Sequence, residues 1–382
     1  MRVAELGEFV VTKTGSTNPS YFPKEQFEYY SIPAYDNGEP ETTLGSSIGS
    51  SKKNFLPGDV LLSRIVPHIR RCWIVPENNG YRQIGSGEWI VFRTKDIAPS
   101  FLRFYLMSDA FNVKFMMTIK GVGGSLMRAD PNQVKRFKLS LPPLEEQKKI
   151  AAILDAAADY RQKTKALIEK YDQLTQSLFL DMFGHLLQTQ SNTITLEELC
   201  GKGKYGSGAS AIEYDDSLPR YVRITDINES GDLNDKKMSP SEFDEQYILK
   251  NHDLLFARTG ATVGKTYLYK ESDGELIYAG YLIKFKIPKP HNALYFFHFT
   301  KTNYYKSWVD NQQNVVAQPN INARQYGNEL AIPLPSIELQ NQFAERVAQV
   351  EQQKQQAEAA LVKAEDLFNS LLQKAFKGEL TN

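Results

Sequence analysis

The side chains best suited to chemistry in this chain are arginines, lysines and amides gathered in loops of its two halves. In the first half, Arg70 and Arg71 follow Pro67 and His68. In the second half, seven of the twelve residues from 311 to 322 carry side-chain amides. An arginine donates two hydrogen bonds at once to a phosphate or a base edge, and an amide can pair with both N6 and N7 of adenine. These residue types indicate contacts with nucleic acid, although solvated loops whose amides cap their own turns would show the same composition.

The candidate DNA contacts include, in both halves, a basic turn after the equivalent strand and a loop before the long helix. In the first half they are Lys52, Lys53, Arg64, His68, Arg70, Arg71 and Arg128. In the second half they are Arg258, Lys265, Asn314, Gln318 and Asn320. Arg64 and Arg258 each end an expected buried strand, so a structural salt bridge is the alternative role for both.

The motifs that would indicate catalysis or cofactor binding are incomplete. The stretch 18–21 reads N-P-S-Y and departs from the N-P-P-Y motif of amino-methyltransferases, which needs consecutive prolines. The stretch 260–266 has three residues between its glycines, where a phosphate-binding loop needs four, and a strand rather than a helix is expected to follow it. Five histidines and two cysteines show no metal-ligand spacing. The missing motifs argue against catalysis by this chain and against a metal or nucleotide cofactor bound to it.

The charge of the chain is balanced overall but uneven along its length. Its 382 residues include 45 basic and 45 acidic side chains. Residues 1–143 carry 18 basic against 13 acidic side chains, and residues 248–335 carry 10 against 6. Basic surface in patches is what steering along DNA requires, and a neutral total fits a subunit whose partners share the contact.

The location expected from the sequence is the cytoplasm. The first residues lack the apolar core of a signal peptide, and no run of about 18 apolar residues predicts a membrane span. Cys72 and Cys200 lie far apart, as in proteins of a reducing compartment.

Two long helices are expected to position these loops. Residues 337–377 contain neither proline nor glycine, Ser336 suits the N-cap and Gly378 the exit. The residues of the apolar seam of this helix are alternately four and three positions apart in the sequence, and Lys354 is the only polar residue among them. The other seam residues are Phe343, Val347, Val350, Ala357, Leu361, Ala364, Phe368, Leu371 and Ala375. So narrow an apolar stripe predicts a partner helix.

The expected partner helix lies in the same chain. It runs from Leu144 to Phe183 without proline or glycine and stops at Gly184. Its best seam is Ile153, Ala157, Tyr160, Thr164, Leu167, Tyr171, Leu174 and Leu178. The alternative is that each helix packs only on its own globular region, but duplication favours an antiparallel pair that places one globular region at each end.

The duplication extends into the globular regions. Residues 58–64 match residues 252–258 at an offset of 194, and residues 84–93 match 277–286 at an offset of 193. The chain is therefore expected to be two half-repeats, each a globular region followed by a long helix.

The whole arrangement resembles the specificity subunit of type I restriction-modification enzymes. Three stretches carry the resemblance: L-P-P-L-E-E-Q at 141–147, S-L-F-L-D-M-F-G at 177–184 and L-L-Q-K-A-F-K-G-E-L at 371–380. The resemblance covers essentially the whole chain, although the globular regions match only in layout. It implies an α+β fold in which two globular α/β target-recognition domains are separated by two long antiparallel, coiled-coil helices, with an internal pseudo-two-fold repeat. The expected segments are domains at 1–143 and 191–333, helices at 144–184 and 336–377, and a tail at 378–382.

The resemblance also implies function and partners. It implies a non-catalytic subunit that reads a bipartite target in double-stranded DNA and assembles with two methyltransferase subunits and with restriction subunits. S-adenosylmethionine would be bound by the methyltransferase partner. The competing hypotheses are a DNA methyltransferase or nuclease, which the missing catalytic motifs disfavour, and a coiled-coil adaptor that binds only protein. The basic and amide-rich loops at equivalent positions disfavour the adaptor.

Overall fold

The computed structural model describes residues 2–121, 127–189, 192–313 and 320–380. It divides into two compact units, Met1–Lys165 with Ala359–Asn382, and Ala166–Glu358. Each unit contains one globular region and a part of each of two long helices. These helices are α5 (Leu144–Thr189) and α10 (Ile337–Lys377).

The globular region of the first unit consists of short strands and four helices. Its strands are β1 (Arg2–Glu5), β2 (Ser16–Thr17), β3 (Gln26–Tyr30), β4 (Glu41–Leu44), β5 (Lys52–Asn54), β6 (Val60–Ser63), β7 (Cys72–Ile74), β8 (Arg82–Gly85), β9 (Trp89–Phe92), β10 (Ile119–Lys120), β11 (Arg128–Ala129) and β12 (Lys138–Leu141). Its helices are α1 (Ile32–Asp36), α2 (Pro99–Met107), α3 (Asp109–Met116) and α4 (Pro131–Val134). One sheet has the order β2-β5-β8-β3-β4 and another has the order β7-β6-β9. All four residues of the central strand β6 are buried, as expected.

The aromatic spacing of residues 100–119 predicts a single helix, but the structure has two helices there, α2 and α3. Ser108 adopts an extended conformation, with φ of −69° and ψ of 153°. It ends α2 and caps α3, because its hydroxyl accepts a hydrogen bond from the Phe111 N–H at 3.3 Å. Aromatic side chains at this spacing predict a core face, and Phe101, Phe104, Tyr105, Phe111 and Phe115 are indeed buried.

The globular region of the second unit repeats this plan. Its strands are β13 (Thr193–Ile194), β14 (Lys204–Tyr205), β15 (Ala211–Glu213), β16 (Arg220–Val222), β17 (Met238–Pro240), β18 (Asp253–Ala257), β19 (Thr266–Leu268), β20 (Leu276–Tyr278), β21 (Leu282–Lys286) and β22 (Ile332–Pro333). Its helices are α6 (Leu196–Cys200), α7 (Ala293–Phe299), α8 (Asn303–Gln313) and α9 (Ala323–Asn328). The main sheet has the order β14-β21-β18-β19, and β19 follows the 260–266 stretch as a strand, as expected.

The repeat found in the sequence is a repeat of strand register. Leu61 of β6 lies opposite Val91 of β9, and Leu255 of β18 lies opposite Lys284 of β21. The offsets between these pairs are 194 and 193. Each globular region is also closed by its first and last strands, because β1 pairs with β12 and β13 pairs with β22 in antiparallel fashion.

A glutamine near the start of each long helix explains part of the shared motif. Gln147 accepts a hydrogen bond from the Ala98 N–H at 3.0 Å and donates to the Pro142 carbonyl at 2.9 Å. Gln340 accepts from the Asn292 N–H at 3.0 Å and donates to the Pro335 carbonyl at 3.0 Å. Both amides are buried, so each fixes its long helix to the N-terminus of an aromatic helix.

The long helices pair antiparallel in each unit, as predicted. In the first unit the Arg161 guanidinium lies 4.4 Å from the centre of the Phe368 ring, and Lys165 forms an ion pair with Glu365 at 3.1 Å. In the second unit Asp172 accepts a hydrogen bond from Lys354 at 2.6 Å, and the Phe183 and Phe343 rings lie 5.4 Å apart. Residue numbers rise along one helix as they fall along the other. Lys354, the one polar residue of the α10 seam, is thus neutralised by a partner on α5.

The seam predicted for α10 is confirmed, and the seam predicted for α5 is half wrong. Every predicted α10 position is buried or half-buried. On α5, however, four predicted positions are exposed: Ile153, Tyr160, Leu167 and Leu174. The positions one residue later face inwards instead: Leu154, Arg161, Ile168 and Thr175.

The physical reason is that polar residues in the α5 seam are satisfied locally. Arg161 rests on an aromatic ring, and the Thr164 and Thr175 hydroxyls donate to carbonyls four residues earlier, at 2.8 and 3.1 Å. Because the inward-facing row of α5 includes polar residues, choosing the most apolar row from the sequence selected exposed positions at half of the seam.

The ends of α10 agree with the sequence, but the end of α5 does not. The Ser336 hydroxyl accepts from the Leu339 N–H at 3.3 Å, and Gly378 has a φ of +78°. α5 was expected to stop at Gly184 but continues to Thr189. Leu186 and Leu187 of this extra length pack against the core of the second unit, and this packing compensates for a glycine inside the helix.

Candidate nucleic-acid interface

In the first unit, three predicted cations gather around one carboxylate. Arg64 follows β6, and its backbone N–H donates to the Glu88 carbonyl at 3.0 Å. The Nε atoms of Arg64 and Arg128 donate to the two oxygens of the Glu88 side chain at 2.8 and 3.1 Å. Lys53 donates to the neighbouring Trp89 carbonyl at 2.7 Å. Three positive charges against one negative charge leave this cluster basic.

Burial distinguishes the two adjacent lysines from the arginines. Burial lowers the pKa of Lys53, and nearby Arg64 lowers it further while Glu88 opposes the shift. Lys53 is half-buried, whereas Lys52 is buried, and burial lowers the pKa of Lys52 as well. Its ammonium donates to the carbonyl and hydroxyl of Ser50 at 3.0 and 2.5 Å. Arg64 and Arg128, each about one-third exposed, are the better placed cations for a ligand in solvent.

The basic turn after β6 sends its side chains in different directions. A one-turn 3-10 helix, Pro67–Ile69, is flanked by Val66 and Arg70, which have φ values of 47° and 49°. A positive φ at a β-branched residue is strained and occurs most often where function requires it. His68 at the tip is exposed. Arg70 donates to Asp109 at 2.6 Å from a side chain that is one-third exposed.

Arg71 is a structural anchor of the first unit. Its Nε and Nη2 donate to the two oxygens of Asp36, both at 2.7 Å, and only 7% of the side chain is exposed. These hydrogen bonds hold the pKa of the Asp36 carboxyl below its usual value. The sequence grouped Arg71 with Arg70 as one basic cluster, but the structure separates them.

In the second unit, Arg258 occupies the position equivalent to Arg64. Its backbone N–H donates to the Tyr281 carbonyl at 3.1 Å, and its carbonyl accepts from the Ile321 N–H at 2.9 Å. Arg64 makes the same two bonds, to the Glu88 carbonyl and from the Ala129 N–H. Tyr281 therefore stands where the first unit has Glu88.

This exchange changes the surroundings of the guanidinium. The Arg258 guanidinium carbon lies 5.0 Å from the Tyr205 ring and 5.9 Å from the Tyr281 ring. Among the residues that the structure describes, no carboxylate pairs with it and its Nε has no hydrogen-bond partner. Both tyrosines are exposed. A guanidinium that lies between two aromatic rings, and whose Nε bonds to none of the described residues, is well prepared to bind a base edge or to stack with a base.

The other second-half candidates lie near this arginine or outside the described residues. Asn320 is exposed and forms an isolated antiparallel bridge with Thr259, next to Arg258. Lys265 forms an ion pair with Glu229 at 3.0 Å. Asn314 and Gln318 lie outside the described residues.

Sequence reasoning missed Tyr205 and Tyr281. Tyr281 could have been found, because the match of residues 84–93 with residues 277–286 aligns it with Glu88. Tyr205 had no comparable signal. It reaches the site because β14 pairs with β21, and its hydroxyl accepts a hydrogen bond from the Ala323 N–H at 3.1 Å.

Metal sites and membrane spans were the two other features sought among the described residues. No group of three or more histidine, cysteine, aspartate or glutamate side chains there could hold a metal ion. No helix formed by those residues is long and apolar enough to span a membrane.

Comparison with known families finds one match over most of the chain. The family model described as the type I restriction modification DNA specificity domain matches residues 1–170 and 186–363. The chain is 28% identical over 286 residues to the EcoBI specificity subunit of Escherichia coli, covering 64% of this chain and 58% of that protein. It is 24% identical over 312 residues to the EcoDI specificity subunit of the same species, covering 71% and 68%. The chain thus spans roughly three-fifths to two-thirds of these relatives.

Two solved structures share the fold. A chain from a study of complex assembly and conformational transition of the type I R-M system aligns with a TM-score of 0.60 at 22% identity, covering 99% of this chain and 98% of the other. The type I restriction-modification S subunit from M. genitalium aligns with a TM-score of 0.60 at 14% identity, covering 98% and 96%.

Proposed function

This chain belongs to the type I restriction-modification DNA specificity family, and we propose on that premise that it reads the DNA target of such a system. Each globular region reads one short element, and the bases between the two elements are not read. The observation that carries this proposal is the pair Arg64 and Arg258. Both are held by the same backbone bonds after equivalent strands, yet one is paired with Glu88 and the other lies against Tyr281. The same backbone arrangement with different side chains around the arginine suits two globular regions that bind different DNA sequences.

The proposed DNA contacts are arginine, amide and histidine side chains, and they differ between the two units. In the second unit, Arg258 and Asn320 are the proposed base readers, because a guanidinium fork and an amide can each pair with a base edge. In the first unit, Arg64, Arg128 and Arg70 are the proposed DNA-facing arginines. The exposed His68 at the tip of the strained turn adds a further polar contact to that set.

The proposed partners follow the division of the chain into globular regions and helices. Two methyltransferase subunits dock on α5 and α10, the parts common to both halves, and restriction subunits join that assembly. The methyltransferase supplies S-adenosylmethionine and the chemistry, and the assembly works in the cytoplasm. The cysteines of this chain are poor nucleophiles, because burial raises the pKa of Cys72 and of Cys200 to about 12. This supports a role in binding rather than in catalysis.

The decisive experiment is an exchange of one globular region, read out by methylome sequencing. Residues 191–333 are replaced by the corresponding region of a related chain, and the methylated motif is compared in hosts that carry either version. We expect one half of the motif to change while the other half and the spacer persist, because the first unit and both helices are kept. The reciprocal exchange of residues 1–143 is the matched control and should alter only the other half. A continuous motif, or a change in both halves after either exchange, would contradict the two-reader model.

A further inference from the structure

A pocket of lysines lies in the second unit, at the far end of the main sheet from Arg258. It encloses about 630 Å³ between the end of α6, β14, the start of β18 and the end of β21. Five lysines line it: Lys202, Lys204, Lys284, Lys286 and Lys289. His252, which also lines it, immediately precedes β18, whereas Arg258 immediately follows that strand. Five residues of strand separate the two ends by about 17 Å.

Most of these ammonium groups lack a carboxylate. Lys284 lies 3.3 Å from the buried Asp253. Within the part of the chain that the structure describes, the other four lysines form no ion pair, and all four are exposed. None of the described residues that line the pocket is acidic. Placing so many like charges around one concavity is unfavourable in the empty state, so an anionic occupant would relieve their repulsion.

The fold itself does not require this charge, as the first unit shows. Arg93 is equivalent to Lys286, and it donates to both oxygens of the buried Asp59 at 2.6 and 2.7 Å. Lys284 is equivalent to Val91, and strand register places Lys204 where the first unit has Val11, because Lys204 lies opposite Lys284 and the Val11 N–H donates to the Val91 carbonyl at 2.8 Å. The same scaffold is thus built in the first unit without a lysine pocket, which makes the pocket a special feature of the second unit.

The kind of cation points to phosphate. A lysine ammonium is a compact charge that binds phosphate oxygens without a fixed geometry, whereas the planar arginine fork pairs in bidentate fashion with phosphates, carboxylates and base edges alike. Lysine is also depleted from protein–protein interfaces, where arginine and aromatic residues are enriched. A pocket with five lysines and no arginine therefore suits phosphate oxygens better than the surface of a protein partner.

We propose that this lysine pocket binds backbone phosphates of duplex DNA beside the element read by the second unit, and so supplies affinity without sequence preference. The inference rests on the proposed function, since it assigns a second contact to the same DNA. Arg258 and its neighbours determine which sequence is bound. The pocket, about one strand length away, adds affinity that depends on the salt concentration.

The test uses the full-length chain and a mixed-sequence duplex of about 40 base pairs, with affinity measured between about 50 and 200 mM salt. The variants are Lys286→Gln/Lys289→Gln and the fourfold variant that adds Lys202→Gln and Lys204→Gln. Each lost phosphate contact should lower the slope of log affinity against log salt by about 0.9, so the slope should fall by about 2 and by about 3–4. The matched control is Lys236→Gln/Lys237→Gln, which removes two exposed lysines from the same unit and should leave the slope unchanged. Thermal melting confirms that each variant is folded.

The outcomes separate this inference from the proposed function. If the wild-type chain binds duplex and the variants keep its slope of log affinity against log salt, the phosphate-binding role of the pocket is wrong. The proposed function would not be affected by that result. Loss of discrimination between the methylated motif and a scrambled duplex would also overturn it, because the lysines would then be reading bases. Inorganic tripolyphosphate serves as a second probe. If the variants lost tripolyphosphate binding but kept duplex affinity, the occupant would be a free polyphosphate and not DNA. A wild-type chain that bound no duplex even with the methyltransferase subunits present would overturn both proposals.

Discussion

Replacing Arg258 with lysine should abolish sequence discrimination at one position of the second element while leaving the attraction for DNA in place. The guanidinium has no carboxylate partner among the described residues, so the fold loses only the contacts with the Tyr205 and Tyr281 rings. Such contacts are worth about 0.5–1 kcal/mol at exposed sites. A bidentate arginine–base pair contributes about 1–3 kcal/mol of discrimination, which is roughly 5- to 150-fold in affinity. Lysine keeps the charge, and the salt dependence should therefore stay close to that of the wild type.

The assay is a panel of duplexes that carry the methylated motif with one base pair changed at a time. The variant should bind the intact motif about as weakly as wild type binds the duplex changed at the position that Arg258 reads. Arg64→Lys is the matched control, since Arg64 occupies the equivalent place but is paired with Glu88, and any effect it has should fall in the first element. A uniform loss across the whole panel, accompanied by a smaller salt slope, would refute the assignment and identify Arg258 as a phosphate contact.

Two further predictions concern stability. Phe343→Ala should lower the free energy of unfolding of the second unit by about 3–5 kcal/mol, because the ring is fully buried against Phe179 and Phe183. Leu167→Ala removes a side chain that is 42% exposed and should cost under about 1 kcal/mol in the same denaturant titration. Equal losses in the two variants would contradict the seam that the structure assigns to α5. His298 provides a pH dependence, since burial, with Lys301 and Lys270 nearby, lowers the pKa of its ring to about 3. Above pH of about 6.5 the ring is neutral in both states, but between that value and 3 only the unfolded state takes up the proton, so stability should fall as the pH drops. His298→Phe should flatten this decline, and an unchanged pH profile would show that the ring is protonated in the folded protein.

The repeat and the long helices could be predicted from the sequence because both depend on regular spacing. Heptad steps fix one face of α10 whatever lies opposite it. The offset of 193–194 likewise predicted the equivalence of Arg64 and Arg258, which the strand registers confirm. The phase of the α5 seam was harder, because Arg161 and Thr175 enter it and break the rule that buried rows are apolar.

The partners of the candidate side chains could not be predicted, because they come from distant parts of the chain. Arg71 finds Asp36 through the fold, 35 residues away, and nothing local distinguishes it from its neighbour Arg70. Tyr205 reaches Arg258 only through the pairing of β14 with β21. Local composition identified which residues carry the right chemistry, and tertiary structure decided which of them face solvent.

The pairing of the first and last strands of each globular region has a consequence for how such chains diversify. Arg2 lies opposite Leu141 and Thr193 opposite Pro333, and the Asn192 side chain and backbone exchange hydrogen bonds with Leu334, both at 2.8 Å. The chain therefore enters and leaves each region at one place, as in domains that tolerate insertion or circular permutation. Each region can therefore be exchanged as a unit, because recombination with both breakpoints at that place would join a foreign globular region to the same pair of long helices. A single crossover inside the region would instead separate strands that must pair, and we expect it to yield unfolded hybrids.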